Sequence, residues 1–119
     1  MTSILNVDSI AAKNGTDPVA LTKQIASKAY VTKNQAGSAI LESFGVSSIS
    51  DDASGTHTIN VTNSMSSSNY HVPCSVRETG ARFVGQGSIT ASSIQVLTWN
   101  VSVALADIQV GSDFVGDLA

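Results

Sequence analysis

The stretch Thr56-His57-Thr58-Ile59-Asn60-Val61-Thr62 alternates between two kinds of side chain along its whole length. His57, Ile59 and Val61 occupy one set of alternate positions, and small polar side chains occupy the other. Because successive side chains of a β-strand point to opposite faces of a sheet, this period of two predicts a strand with one buried face. The preceding stretch, 51–55, holds two Asp, one Ser and one Gly and is a predicted hairpin loop.

Further short segments of the same kind lie on both sides of this strand. Gly45 predicts a bulge or a close backbone approach, and Pro73, which has no amide hydrogen to donate, places its strand at a sheet edge or at a bulge. Several short strands separated by turn signals are typical of an antiparallel β-sandwich, so we predict an all-β, jelly-roll-like fold. The predicted segments are 29–32, 44–49, 70–76, 82–84, 88–90, 94–99, 101–103 and 107–110.

The composition excludes several classes of protein. Of the 119 residues, 13% are charged and 42% are hydrophobic, whereas about a quarter of an average soluble domain is charged. The chain holds 19 Ser and 10 Thr, and its aliphatic residues are mostly β-branched. This profile argues against a disordered chain and against a coiled coil. The absence of a long apolar run predicts no membrane insertion, and a net charge of −3 disfavours nucleic-acid binding.

The N-terminal third has a different pattern. Asp17-Pro18 is a helix-start signal, and Leu21, Ile25 and Ala29 follow at a spacing of four, so a short amphipathic helix is expected at about 18–28. All four lysines lie in residues 1–33. We therefore predict an attachment arm with a short helix over 1–33 and a sandwich domain over 34–119. No signal peptide is recognisable, which predicts synthesis in a cytoplasm.

Titratable residues are few and scattered. His57 lies five positions from Asp52, with no third orienting group apparent in the sequence. The two histidines are interpreted as partly exposed strand residues; the alternative is one His from each of three chains around an axial metal. Asp51-Asp52 can bind a hard cation but is more often a solvated turn. Cys74 is alone and predicted to be a small buried hydrophobe. We therefore expect no enzymatic activity, no cofactor and no metal ligand.

Several stretches of the chain form a distinctive set in order and spacing. They include Ser3-Ile4-Leu5-Asn6-Val7-Asp8-Ser9-Ile10, the segment around Tyr30-Val31, and the closing Val115-Gly116-Asp117-Leu118-Ala119. The longest runs from Glu42-Ser43-Phe44 through Ser50-Asp51-Asp52 to Ile59-Asn60-Val61. Together these stretches resemble a family of small bacteriophage tail-fibre-like proteins. Tyr30, Gly45 and His57 depart from the family pattern, and residues 77–113 match no part of it. The remaining similar stretches are 19–24, 26–29 and 65–70.

The resemblance implies a virion protein that is assembled in the host cytoplasm. It implies a homotrimeric tail fibre or receptor-binding protein whose arm binds other virion proteins and whose sandwich binds a host-surface glycan or protein. The alternative is a capsid head-fibre or decoration protein with a structural role. An enzyme acting on host polysaccharide is disfavoured, because the sequence pairs no carboxylates at a set separation.

Two further expectations concern contacts with partners. The arm and the short helix cannot bury their apolar faces alone, and hydroxyl-rich strand faces can meet across a symmetric contact without leaving unpaired charge. Both features predict an oligomer, most simply a trimer. Within the divergent segment, Arg77, Arg82, Gln86 and Trp99 are the candidate receptor contacts.

Overall fold

The computed structural model describes residues 27–34 and 39–119. In these residues the chain forms eight β-strands and no helix. The strands are β1 (Ser27–Lys33), β2 (Ile40–Phe44), β3 (Val46–Ala53), β4 (Thr56–Val61), β5 (Cys74–Val76), β6 (Phe83–Ile89), β7 (Ser93–Trp99) and β8 (Val110–Val115).

The described strands form two antiparallel sheets. Sheet A has the order β2-β1-β8-β5, and sheet B has the order β3-β4-β7-β6. For the described residues, this arrangement confirms the prediction of an all-β fold with antiparallel sheets, and it is compatible with a β-sandwich. The jelly-roll-like topology and the trimer go beyond what these two sheets show.

The alternation in β4 produces the buried face that the sequence predicts. His57, Ile59 and Val61 are buried, whereas the residues between them are partly exposed. Ile94 and Val96, on the neighbouring strand β7, are fully buried beside them. One core includes these side chains together with those of sheet A. Its members are Ala29, Val31, Ile59, Val61, Met65, Tyr70, Val72, Ile94, Val96, Ile108, Val110 and Phe114.

Gly45 is the point at which the chain passes from sheet A to sheet B. It separates β2, which pairs with β1, from β3, which pairs with β4. Its φ is +67°, and a Cβ placed there would lie 2.8 Å from the carbonyl oxygen of Lys28. Only glycine meets both conditions without strain. The close backbone approach predicted at this position is therefore confirmed.

The structure corrects the predictions at the N-terminal end. Residues 18–26 of the predicted helix lie outside the described residues, and Ser27 and Lys28 belong to strand β1. Strand β1 lies in the interior of sheet A, between β2 and β8. Residues 27–33 therefore belong to sheet A rather than to an arm that ends at residue 33.

Most predicted segments have different bounds in the structure. Gly45 divides segment 44–49, most of segments 82–84 and 88–90 belongs to the single strand β6, and only the last residue of 107–110 belongs to a strand. Strand β3 extends to Ala53, so the turn after it is shorter than the predicted loop 51–55. Of segment 70–76, only the last three residues form a strand, because Pro73 cannot donate to the ladder. The resulting strand, β5, is at the edge of sheet A, as predicted. Segment 101–103 is a turn, in which Oδ1 of Asn100 accepts backbone N–H groups from Ser102 and Ala104.

Candidate functional site

Two side chains that carry or can carry positive charge are buried in the core. His57, at the start of β4, is 0% exposed, and Lys33, at the end of β1, is 1% exposed. The prediction of a partly exposed strand histidine is therefore wrong for His57, whereas His71 is exposed. Nζ of Lys33 donates a hydrogen bond of 2.7 Å to the carbonyl oxygen of Ile108.

Two carboxylates approach His57 from different parts of the chain. Asp51, on β3, is its cross-strand partner, and Asp107 lies in the segment before β8. Nε2 of His57 is 3.5 Å from Oδ1 of Asp51 and 3.7 Å from Oδ1 of Asp107. The backbone N–H of Gly55 donates to the same Oδ1 of Asp107 at 2.7 Å. We call Lys33, Asp51, His57 and Asp107 the His57 cluster.

Burial and the neighbouring charges shift the pKa values of the two buried groups. Burial lowers the pKa of His57 below its usual value of 6.5, and the positive charge of Lys33 lowers it further. The carboxylates of Asp51 and Asp107 act in the opposite direction. Burial also lowers the pKa of Lys33, although the negative charges of Asp107, Asp51 and Glu78 act to raise it.

The two ring nitrogens of His57 are buried polar atoms. Both Nδ1 and Nε2 are buried, and neither has a hydrogen-bond partner among the described residues. One ligand atom from each of Asp51, His57 and Asp107 lies within 4.8 Å of the other two. This spacing is short enough for one metal ion to contact all three. In ranges 27–34 and 39–119, no other group of three His, Cys, Asp or Glu side chains brings its ligand atoms this close together.

Sequence reasoning finds this cluster only in part. It pairs His57 with Asp52, but the side chain of Asp52 accepts a hydrogen bond from Thr58 instead. It does not find Asp107, whose carboxylate meets the turn at Gly55 although the two residues are 52 positions apart. The sequence does contain one signal for the cluster: His57 alternates in phase with Ile59, which places its side chain on the buried face of the strand.

Arg77 is the one predicted receptor contact that lines a groove on sheet A. The groove has a volume of about 350 Å³ and runs over β1, β8 and β5. Its floor includes Gly111, which pairs with Thr32 on one side and Ser75 on the other. Nη1 of Arg77 donates to Oγ1 of Thr32 at 3.4 Å. The other residues that line the groove are Tyr30, Val31, Thr32, Pro73, Cys74, Ser75, Arg77, Ser112 and Asp113.

The other three predicted contacts do not line this groove. Arg82 forms an ion pair of 3.5 Å with Glu78. Gln86, on β6, donates from Nε2 to the carbonyl oxygen of Val72 and so links sheet B to the segment before β5. Trp99, on β7, is half-buried, with its ring over Gly85. The structure therefore brings these four residues to different places.

Strand β2 is exposed along its whole length. Leu41 and Phe44 are 58% and 60% exposed. Ser43 lies opposite buried Val31 and therefore points to the core side of the sheet, yet it is exposed as well. The ring of Phe44 stacks on that of Tyr30 with centroids 6.2 Å apart. The described part of sheet B thus leaves this edge of sheet A uncovered.

Comparison of the chain with protein-family models, with curated proteins and with solved structures finds no match. Within the described ranges, no helix is both long and apolar enough to cross a membrane.

Proposed function

We propose that this chain is a non-enzymatic bacteriophage virion protein, a homotrimeric fibre subunit that attaches the particle to the host surface. The observation that carries the proposal is the exposed apolar strand β2, which fits a chain that assembles with copies of itself. The sequence resemblance to phage tail-fibre-like proteins supports the virion location. In this proposal the N-terminal segment binds other virion proteins.

The exposure of β2 argues for assembly on physical grounds. It is an edge strand among the described strands, so its outer backbone groups have no sheet partner there. It carries Ile40, Leu41 and Phe44, all exposed, and Glu42 is its single charged residue. An apolar edge of this kind invites pairing with another chain. A head-to-tail contact repeated around a three-fold axis closes into a trimer and covers every such edge.

The groove on sheet A is the proposed contact with the host. It combines one aromatic side chain, Tyr30, with the charged groups of Arg77 and Asp113 and with hydroxyl groups. An aromatic wall with a few convergent polar groups suits a sugar, which has one apolar face and many hydroxyl groups. We propose a host-surface glycan as its ligand. Because Tyr30 also stacks on Phe44, the groove lies beside the proposed assembly edge.

Binding of the labelled full-length protein to host cells tests this function. Arg77→Ala is expected to weaken binding at least tenfold, since it removes the one arginine that lines the groove. Arg82→Ala is the matched control, because Arg82 pairs with Glu78 and is not a groove residue. Equal binding by wild type and Arg77→Ala, or an equal loss in the control, would contradict the proposal.

The position of the chain in the particle distinguishes the fibre from the alternative decoration protein. A cryo-electron microscopy map of the native virion is expected to show density for this chain at the tail. Density confined to the capsid lattice would contradict the tail assignment and favour the structural role.

A further inference from the structure

The starting observation is that the buried ring of His57 has no hydrogen-bond partner in ranges 27–34 and 39–119. A neutral imidazole has one N–H donor and one acceptor nitrogen, and burying either without a partner is costly. Both ring nitrogens of His57 are buried without a hydrogen-bond partner among the described residues. Its Nε2 lies between the carboxylates of Asp51 and Asp107. This environment is incomplete for a neutral histidine.

The distances in the cluster fit a shared ion better than direct hydrogen bonds. Nε2 is 3.5 and 3.7 Å from the two carboxylate oxygens, beyond the usual range of about 2.7–3.2 Å for an N–H···O bond. A tetrahedral zinc site with bonds of about 2.0–2.1 Å holds neighbouring ligand atoms about 3.3–3.4 Å apart. The third separation is also compatible with one ion, since all three atoms lie within 4.8 Å of one another.

From this geometry we propose that Asp51, His57 and Asp107 form a binding site for one zinc ion per chain. One imidazole nitrogen and two carboxylate oxygens are ligands that zinc takes in proteins. Asp51 and Asp107 are 43% and 38% exposed, so water can reach the fourth position. This site is independent of the proposed attachment function.

The surroundings hold one ligand in place and set the net charge of the site. The backbone N–H of Gly55 donates to Oδ1 of Asp107 and fixes that carboxylate, as outer contacts of metal ligands commonly do. The ammonium of Lys33 is directed to the carbonyl oxygen of Ile108. Its positive charge opposes a cation at the site, but the two carboxylate charges of Asp51 and Asp107 outweigh it, so the net charge still favours a cation.

Titration of the full-length protein with zinc tests the proposal. The protein is first dialysed against a chelator, and zinc chloride is then added in a calorimeter. We expect one zinc ion per chain, confirmed by elemental analysis. His57→Gln and Asp107→Asn are each expected to weaken binding at least tenfold. Asn retains an oxygen that can accept the Gly55 N–H, so the second variant removes charge with little change of shape.

His71→Gln is the matched control, because His71 is exposed and lies outside the cluster. It is expected to bind zinc as wild type does. Cobalt(II) gives a second readout: an intense visible spectrum of tetrahedral cobalt is expected in wild type and not in His57→Gln. Absence of zinc binding in wild type, or a loss caused by His71→Gln but not by His57→Gln, would overturn the proposal.

Discussion

His57 is a titratable side chain at the start of an apolar strand face. The period of two in β4 fixes its direction, because Ile59 and Val61 must point into the core. The same rule explains Lys33, which alternates with buried Val31 and Ala29 in β1. The sequence therefore predicts that both side chains point into the core. It does not predict which residues they contact there.

The buried His57 makes the stability of the metal-free protein depend on pH. Burial and Lys33 lower its pKa in the folded state, and this effect outweighs the opposing carboxylates of Asp51, Asp52 and Asp107. Near its ordinary pKa of 6.5 the unfolded chain therefore binds more protons than the folded one. The free energy of unfolding is thus expected to fall as the pH is lowered through that value.

Urea unfolding at about pH 7.5 and about pH 5.5, with a chelator present, measures this dependence. Wild type is expected to lose more stability on acidification than His57→Gln, whose side chain does not titrate. Equal losses in the two proteins would show that His57 is not the group responsible.

Gly55 is required by the close packing around the turn between β3 and β4. Its φ is +68°, and a Cβ there would lie 2.5 Å from the amide nitrogen of Ala106 and 2.6 Å from the carbonyl oxygen of Thr98. Because both are backbone atoms, Gly55→Ala is expected to lower the free energy of unfolding by at least about 1–3 kcal/mol. Gly80 is the control, since it also has a positive φ but its nearest atom would be the Arg82 side chain at 3.6 Å.

Chemical denaturation gives the free energy of unfolding of both glycine variants. The comparison distinguishes backbone strain from steric overlap with neighbouring backbone atoms. Gly80→Ala introduces backbone strain alone, so its destabilisation is expected to be the smaller of the two. A Gly55→Ala protein as stable as wild type would contradict the described packing of this turn.

At the scale of elements, strands with one buried face are predictable and exposed strands are less so. Strand β4 is evident in the sequence, because its apolar positions alternate. The end of β3 is not, because Asp51, Asp52 and Ala53 are exposed and resemble a loop in composition. Segment 101–103 shows the opposite case: Val101 and Val103 suit a strand, but Asn100 organises a turn.

Strand β2 is where the proposed assembly can be disrupted. Phe44→Lys and Leu41→Lys place a charge on the exposed edge, which opposes pairing between chains. Each is expected to convert the oligomer to a monomer in sedimentation velocity experiments. Val101→Lys is the matched control, because Val101 is 59% exposed but lies in the turn after β7. Retention of the oligomer by both β2 variants would contradict an interface at this strand.

At the scale of the whole molecule, pairing between distant segments is the part that the sequence does not reveal. Strand β8 pairs with both β1 and β5, and the carboxylate of Asp107, close before β8, meets the turn at Gly55. The alternation of apolar residues predicts strands and a buried face for each. It does not predict which strands pair, because strands of similar apolar character can pair with one another equally well. The all-β class was therefore predictable, whereas the sheet order and the His57 cluster were not.

The assembly proposed for the whole molecule rests on an apolar edge that the described residues leave uncovered. Light scattering coupled to gel filtration of the full-length wild-type protein tests it most directly. Three copies are expected, that is, a single species of three times the 12.2 kDa chain mass. A single stable species of 12.2 kDa would contradict the proposal.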